Sequence, residues 1–194
     1  MKMFSVKQGA ELVKAARNSI ANKKAELKGF EEEQGVFVTL HSYPSMDLRG
    51  CIGFPEPVMP LKKAVVEAAK AAAFEDPRFP PVDSKEKFIV EVSVLTVPEE
   101  IKVKAPSELP KKVKIGTDGL IVRYEMNSGL LLPQVFPEWK ANEEQALSMT
   151  CEKAGLPKEF WKTGKCRFFK FQAQVFREEE PGGKVVEEKQ QPKP

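Results

Sequence analysis

The chain is short of the residues that carry most catalytic and metal chemistry. Its 194 residues include one histidine, His41, and three cysteines, Cys51, Cys151 and Cys166. One imidazole cannot build a His-rich zinc or iron centre. No two cysteines stand in C-x-x-C spacing, so no metal site is expected. An odd number of scattered cysteines is also a poor disulfide framework, which points to a reducing, cytoplasmic setting. An excess of one charge is missing too: 31 Lys and Arg stand against 28 Asp and Glu, a formal +3. That gives no global pull toward nucleic acid or membrane. No apolar run approaches the roughly 18 residues of a membrane-spanning helix, so no membrane association is expected. The opening residues, Met1-Lys2-Met3-Phe4-Ser5, lack the apolar core of a signal peptide.

What is present is the balance of a globular protein, 41% hydrophobic and 30% charged, long enough for one large domain or two small ones. Ser5 and Gln8 have capping-box spacing, and Val6, Ala10, Val13, Ala16 and Ile20 follow at helical intervals, which predicts a first helix. Residues 36–41 and 48–53 read as two strands of a hairpin. Pairing them through the turn at 43–46 sets Cys51 opposite Val38, Arg49 opposite Leu40, and His41 opposite Leu48 on the other face from Cys51. A Cys51–His41 dyad is therefore not expected, because a one-residue slip would be needed to make one. Pro60 suits the first position of a second helix that carries Leu61, Val65, Ala68 and Ala72 and ends before Asp76-Pro77. A proline-stiffened loop, 76–82, comes next.

Residues 88–97 form the clearest strand, with Phe88, Val90, Val92 and Val94 on one face and Glu91 and Ser93 on the other. The Lys-rich stretch 102–114 reads as an irregular connection. A meander follows, 120–124 and 130–132, bounded by turn signals at Thr117-Asp118-Gly119 and Asn127-Ser128-Gly129. A third helix runs from Asn142 to Gly155 and a last strand from 167 to 176. Residues 178–194, charged and rich in Gly and Pro, read as a disordered tail. Trp139 and Trp161 read as anchors of helix packing, and Cys151 and Cys166 as packing residues. Strands in hairpins interrupted by helices predict an α+β fold with a mostly antiparallel sheet.

One hexapeptide, Leu48-Arg49-Gly50-Cys51-Ile52-Gly53, needs its own explanation. Two glycines in a short strand mark the close approach of a backbone or a ligand. Alternation puts Arg49 and Cys51 on one face about 6.5 Å apart. At an effective dielectric of about 20, a guanidinium there would stabilise a thiolate by roughly 2.6 kcal/mol. Gly50 points to the opposite face and is expected to serve packing. Gly53 shares the face of Cys51 and is expected to leave room for a ligand.

The hexapeptide resembles the signature of the AMMECR domain family. Asp76-Pro77-Arg78-Phe79-Pro80-Pro81, Val92-Ser93-Val94-Leu95-Thr96, Gly116-Thr117-Asp118-Gly119 and Leu132-Pro133-Gln134-Val135 are similar to further elements of that family, in order. The resemblance covers nearly all of residues 1–177. It implies an α+β arrangement of two unequal lobes with the hexapeptide near a cleft between them. No established activity and no cofactor come with it. It implies association with Memo-like and radical-SAM proteins in a modification pathway, and a role near nucleic acid has been part of its description. His41 lies outside the family pattern.

Two functions are therefore open. In one, the protein is an enzyme with Cys51 as the reactive group and Arg49, Gly53, Asp76 and Arg78 shaping an anion-binding cleft. In the other, it is a non-catalytic adaptor for a protein or nucleic acid, using the lysines of 102–114 and 162–170.

Overall fold

A computed structural model of the chain describes residues 4–188. In chain order the elements are α1 (Val6–Ile20), β1 (Val36–Ser42), β2 (Leu48–Phe54), α2 (Leu61–Phe74), β3 (Phe88–Leu95), β4 (Glu99–Glu100), β5 (Gly119–Tyr124), β6 (Asn127–Leu131), a one-turn α3 (Val135–Glu138), α4 (Glu143–Lys153), β7 (Arg167–Phe171), β8 (Ala173–Glu178) and β9 (Val185–Glu188). They form two compact units. The first comprises the chain up to Val97 together with the segment from Gln174, and the second spans 98–173. Each has its own apolar core, and the α+β class with antiparallel pairing is as expected. Among the described residues no helix is long and apolar enough to cross a membrane.

In the first unit, α1 begins at the expected capping box: the Ser5 side chain accepts the Gln8 N–H, and the Gln8 side chain accepts that of Ser5. The buried stripe is shifted from the expected one. Val6 is 45% exposed, while Leu12, Val13, Ala16 and Ile20 are buried. Pro60 lies one position earlier than expected, as the N-cap of α2. The sheet order is β2-β1-β3-β8-β9. Val36, Val38 and Leu40 of β1 and Val90, Val92 and Val94 of β3 share a core with α1 and α2. Each such valine is worth about 1.5–3 kcal/mol of burial. Because α2 presents alanines, its backbone lies very close to β2: a Cβ on Gly50 would sit 2.1 Å from the Ala72 carbonyl oxygen. Gly50 serves packing, as expected.

Two expectations about the end of the chain fail. The single strand expected over 167–176 is two strands in two sheets, β7 in one and β8 in the other. Alternating apolar residues carry no mark of where one sheet stops and the next begins. The expected disordered tail is, over its first residues, part of the first unit. Glu178 is 2% exposed, takes both Arg17 Nε and Nη2 at 2.6 and 2.5 Å, and accepts the Val90 N–H at 2.8 Å. β9 then pairs antiparallel with β8. Charge content pointed to solvation, whereas Glu178 is retained inside by a bidentate partner. The remainder of that tail, 189–194, lies outside the described residues.

The second unit has a four-stranded sheet, β4-β7-β5-β6, and α4, which starts at Asn142 with the expected capping box to Gln145. The meander turns one step earlier than its sequence signal. Glu125 takes the left-handed conformation (φ 50°) beside Met126, and Asn127, Ser128 and Gly129 belong to β6. Their identity answers to α4 instead. Asn127 Nδ2 donates to the Ala154 carbonyl at 2.9 Å, and a Cβ on Gly129 would lie 2.6 Å from Ala154 N. Trp161 is buried and donates to Ser148 Oγ at 3.0 Å, as an anchor should. Trp139 is not an anchor: it is 74% exposed, and Phe136 of the same turn fills the core.

Candidate functional site

The register of the first hairpin decides what surrounds Cys51. From Val36↔Phe54 to Leu40↔Gly50 the pairing runs one residue out of step with the expected one, and it returns at His41↔Leu48 through a bulge. Arg49 is the extra residue. Cys51 therefore opposes Thr39, not Val38, and Arg49 has left the ladder. Since Thr39 also opposes Glu91 of β3, Cys51, Thr39 and Glu91 form a row across three strands on the face away from α2. His41 shares that face, contrary to expectation. Its Nε2 lies 3.8 Å from Glu91 Oε2, and this carboxylate raises the imidazole above its ordinary value of 6.5. No bond joins His41 to Cys51, so the absence of a dyad stands on different grounds from those of the register argument.

Thr39 Oγ1 donates to Cys51 Sγ at 3.3 Å. The backbone of Cys51 is held from outside the sheet. Asp76 Oδ2 accepts its N–H at 2.9 Å, and Arg78 Nη2 donates to its carbonyl at 3.3 Å. Asp76 and Arg78 are joined by Nε to Oδ1 at 2.9 Å and Nη2 to Oδ2 at 2.7 Å. The end of α2 at Phe74 and the prolines of the following loop deliver both residues to the edge of β2. Asp76 is buried, whereas half of the Arg78 side chain is exposed (52%). The Arg78 guanidinium, chiefly, holds the Asp76 carboxyl well below the usual carboxylate range, with the N–H groups of Cys51 and Arg78 adding to it against the opposing effect of burial.

Arg49 does not serve the thiol. Its Nε bonds to Glu86 Oε1 and its Nη2 to Glu86 Oε2 at 3.1 Å, and its guanidinium lies 5.9 Å from the Phe79 ring centre. It fastens β2 to the loop before β3. The expected acidification of Cys51 by Arg49 is thus absent. Burial pushes the thiol up, outweighing the Thr39 hydrogen bond and the charge of Arg78, which pull it down. Gly53 differs from expectation as well. A Cβ there would meet the Val36 carbonyl oxygen at 2.3 Å and the Phe37 ring at 2.5 Å, so its missing side chain makes room for β1, not for a ligand.

Of the expected site residues, then, Cys51, Asp76 and Arg78 come together, Arg49 stands beside them tied to Glu86, and Gly53 is occupied by packing. Thr39, Glu86 and Glu91 were not expected. Glu91 had only a weak signal, a lone acid in the middle of the clearest strand; that the strand is buried on both faces, so that this charge asks for a partner, came with the structure. Among the described residues no group of three His, Cys, Asp or Glu could hold a metal ion.

These features define an α+β protein with two sheet-and-helix units, in which a glycine-flanked cysteine strand is clamped from its open edge by an Asp/Arg pair. The chain belongs to the AMMECR1 family, whose profile matches residues 9–176. It is 47% identical to a Methanocaldococcus jannaschii protein, over 97% of this chain and 99% of that one. It is 48% identical to a Methanopyrus kandleri protein, over 95% of each. The crystal structure of an uncharacterised protein from Pyrococcus horikoshii is similar to it, with TM-score 0.86 and 45% identity, covering 94% of this chain and 97% of that one. None of the three is named for an activity.

Proposed function

We propose that the protein is a thiol-dependent enzyme of the first unit, with Cys51 as the reactive group and an anionic substrate. The observation that carries this reading is the Thr39 Oγ1 to Cys51 Sγ hydrogen bond at 3.3 Å, within the row that Glu91 completes. Burial keeps the thiol protonated at rest. Activation then requires a proton acceptor near the row, and Glu91 is the carboxylate in the row itself. Asp76 and Arg78 fix the backbone of Cys51, and the exposed half of the Arg78 guanidinium is the cation that an anionic group would meet. Arg49 and Glu86 position the strand. The reading places the protein in the cytoplasm, where thiols are kept reduced.

Alkylation of Cys51 by iodoacetate and by neutral iodoacetamide tests this reading, with the modified residue located by peptide mapping. Recruitment by Arg78 predicts that iodoacetate gains relative to iodoacetamide when compared with free cysteine, and that Arg78→Ala removes the gain. Equal ratios for protein and free cysteine, or protection of Cys51 from both reagents, would end it.

A second reading, a non-catalytic adaptor, is favoured by the internal pairing of Asp76 with Arg78 and of Arg49 with Glu86, which leaves little free charge at the hexapeptide. The partners would be the Memo-like and radical-SAM proteins implied by the resemblance, or nucleic acid. Nucleic-acid binding of this kind would fall steeply with salt. Retention on a polynucleotide column that is unchanged between low and high salt would exclude it.

A further inference from the structure

The second unit has a cavity of its own, of about 490 Å³, lined from the end of β6, the one-turn α3 and α4. Leu131, Val135, Ala141 and Met149 make its walls apolar, and the Trp139 side chain, 74% exposed, lines it as well. An indole left in water forgoes a large apolar burial, so its place asks for a reason. The backbone keeps it there. Phe136 of the same turn is fully buried, the Trp139 N–H donates to the Val135 carbonyl at 3.2 Å, and the Ala141 N–H donates to the Phe136 carbonyl at 2.9 Å. Between them Lys140 takes the left-handed conformation (φ 52°), uncommon for a residue with a side chain. Charge completes the lining. Lys153 and Lys158 are exposed, and neither has an ion-pair partner among the described residues. Gln145 Oε1 accepts the Asn142 N–H at 2.9 Å in the α4 cap, so what this side chain has left to offer is the Nε2 donor. Against these stands one acid, Glu152. We propose that the cavity binds a small aromatic anion, a flat apolar ring bearing one carboxylate, with the ring against Trp139 and Met149 and the carboxylate toward Lys153 and Lys158.

Size and lining select this occupant. The volume lies within the roughly 300–1,000 Å³ of small-molecule sites, and apolar walls with a few polar groups are their usual makeup. A protein partner would need more. A stable interface covers about 800 Å² on each side around an apolar, aromatic centre. Among the described residues of the second unit, the large apolar side chains left exposed are Met126 and Trp139, and Met126 stands on the β5–β6 turn and does not line the cavity. Apolar exposure is thus concentrated at one concave spot. An aromatic cation would also stack on Trp139, but two lysines and one glutamate face it, an excess of positive charge. A neutral ring would leave both lysines without a role. Lys153 already suits the carbonyl end of α4. Lys158 follows Gly155-Leu156-Pro157, outside any helix, and has no such dipole to answer. The pinned turn under Trp139 adds preorganisation, since the ring has little freedom to lose when a ligand lies on it.

The test uses the whole folded chain and three probes of one shape, naphthoate, naphthylmethanol and protonated naphthylmethylamine, with affinities read by equilibrium dialysis. Naphthoate should saturate a single site with a dissociation constant below about 1 mM. It should bind about tenfold tighter than the neutral alcohol. The chain has two tryptophans, so a nitrogen-labelled sample gives one indole N–H resonance for each. That of Trp139 should move during the titration and that of buried Trp161 should stay. Lys153→Met combined with Lys158→Met should erase the advantage of naphthoate and leave the alcohol unchanged. Trp139→Ala should weaken naphthoate and alcohol alike, by about tenfold. All three positions are exposed, and urea midpoints equal to that of the wild type show that the variants are folded. Failure of naphthoate to saturate, equal affinity for naphthoate and the alcohol, or tighter binding of the amine overturns the proposal. So does a Trp139 resonance that does not move, or a wild-type dimer that Trp139→Ala turns into a monomer, which would give this face to a second copy. None of these outcomes bears on the Cys51 reading, which rests on residues of the first unit.

Discussion

The two units use the same building plan and differ in where their arginines find carboxylates. Each lays helix on sheet so closely that a strand glycine is required, Gly50 beneath α2 and Gly129 beneath α4. In the first unit Arg17, Arg49 and Arg78 each grip a carboxylate with two nitrogens, and the partners Glu178 and Asp76 are buried. In the second, the Arg123 and Arg167 guanidiniums lie 4.7 and 5.2 Å from the Phe169 ring centre, and Arg167 also holds a carboxylate with two nitrogens, but Glu100, its partner, is in the open. A buried carboxylate without its cation would be an uncompensated charge, whereas an exposed one is solvated. Arginine in the first unit therefore fixes backbone positions, whereas in the second it lies on the surface, and the buried carboxylate there, Asp118, accepts the Lys114 N–H at 3.0 Å and faces Lys170 at 3.8 Å instead of an arginine.

The glycines offer the largest test of that plan. Gly50→Ala should cost about 3 kcal/mol, because the new Cβ meets a helix carbonyl that cannot turn aside. Gly129→Ala, whose nearest contacts are longer at 2.6 and 2.9 Å, should cost about 1–2 kcal/mol. Urea midpoints at constant slope would read both, and equal losses would mean that α2 and α4 are equally free to shift. Next in size, Asp76→Ala should cost about 2 kcal/mol, since it strands the buried Cys51 N–H while Arg78 can still turn to water. Arg49→Ala should cost about 1–2 kcal/mol and loosen the loop that holds Glu86.

A fourth expectation concerns pH. The folded-state value of Asp76 lies below its unfolded one of about 3.9. Its contribution is therefore complete above about pH 4 and is lost as pH falls below that toward the folded value. Denaturation midpoints measured downward from pH 6 should fall in the wild type, and Asp76→Asn should flatten that fall. Identical acid limbs would show that other carboxylates carry it. The smallest effect belongs to the second unit: Arg167→Ala should leave the urea midpoint unchanged, and a clear loss there would erase the contrast between the units.

Local signals were the most legible in the sequence. Ser5 with Gln8 and Asn142 with Gln145 announce two helix starts because capping chemistry is contained within four residues. The identity of the hexapeptide strand was equally plain. Its register was not, because a bulge at Arg49 depends on where Glu86 can hold that side chain, and nothing near residue 49 in the sequence records this. From that one residue follow the missed Thr39 and Glu91, the changed face of His41, and the loss of Arg49 as a partner for the thiol. Asn127-Ser128-Gly129 misled for a related reason: residues that suit a turn also suit a strand crossed closely by a helix. The burial of Glu178 depended on Arg17, 161 positions away.

The clamp on Cys51 also has a colloidal meaning. β2 is the outermost strand of its sheet, and such a strand offers unpaired N–H and C=O groups to any other chain. At Cys51 the outward N–H is taken by Asp76 and the carbonyl by Arg78, so two side chains imitate the neighbouring strand that is not there. The bulge at Arg49 breaks the straight line that an incoming strand would need. Opening the 76–78 pair would thus do more than lower stability: it would uncover a pairing template, and self-association should appear before unfolding does.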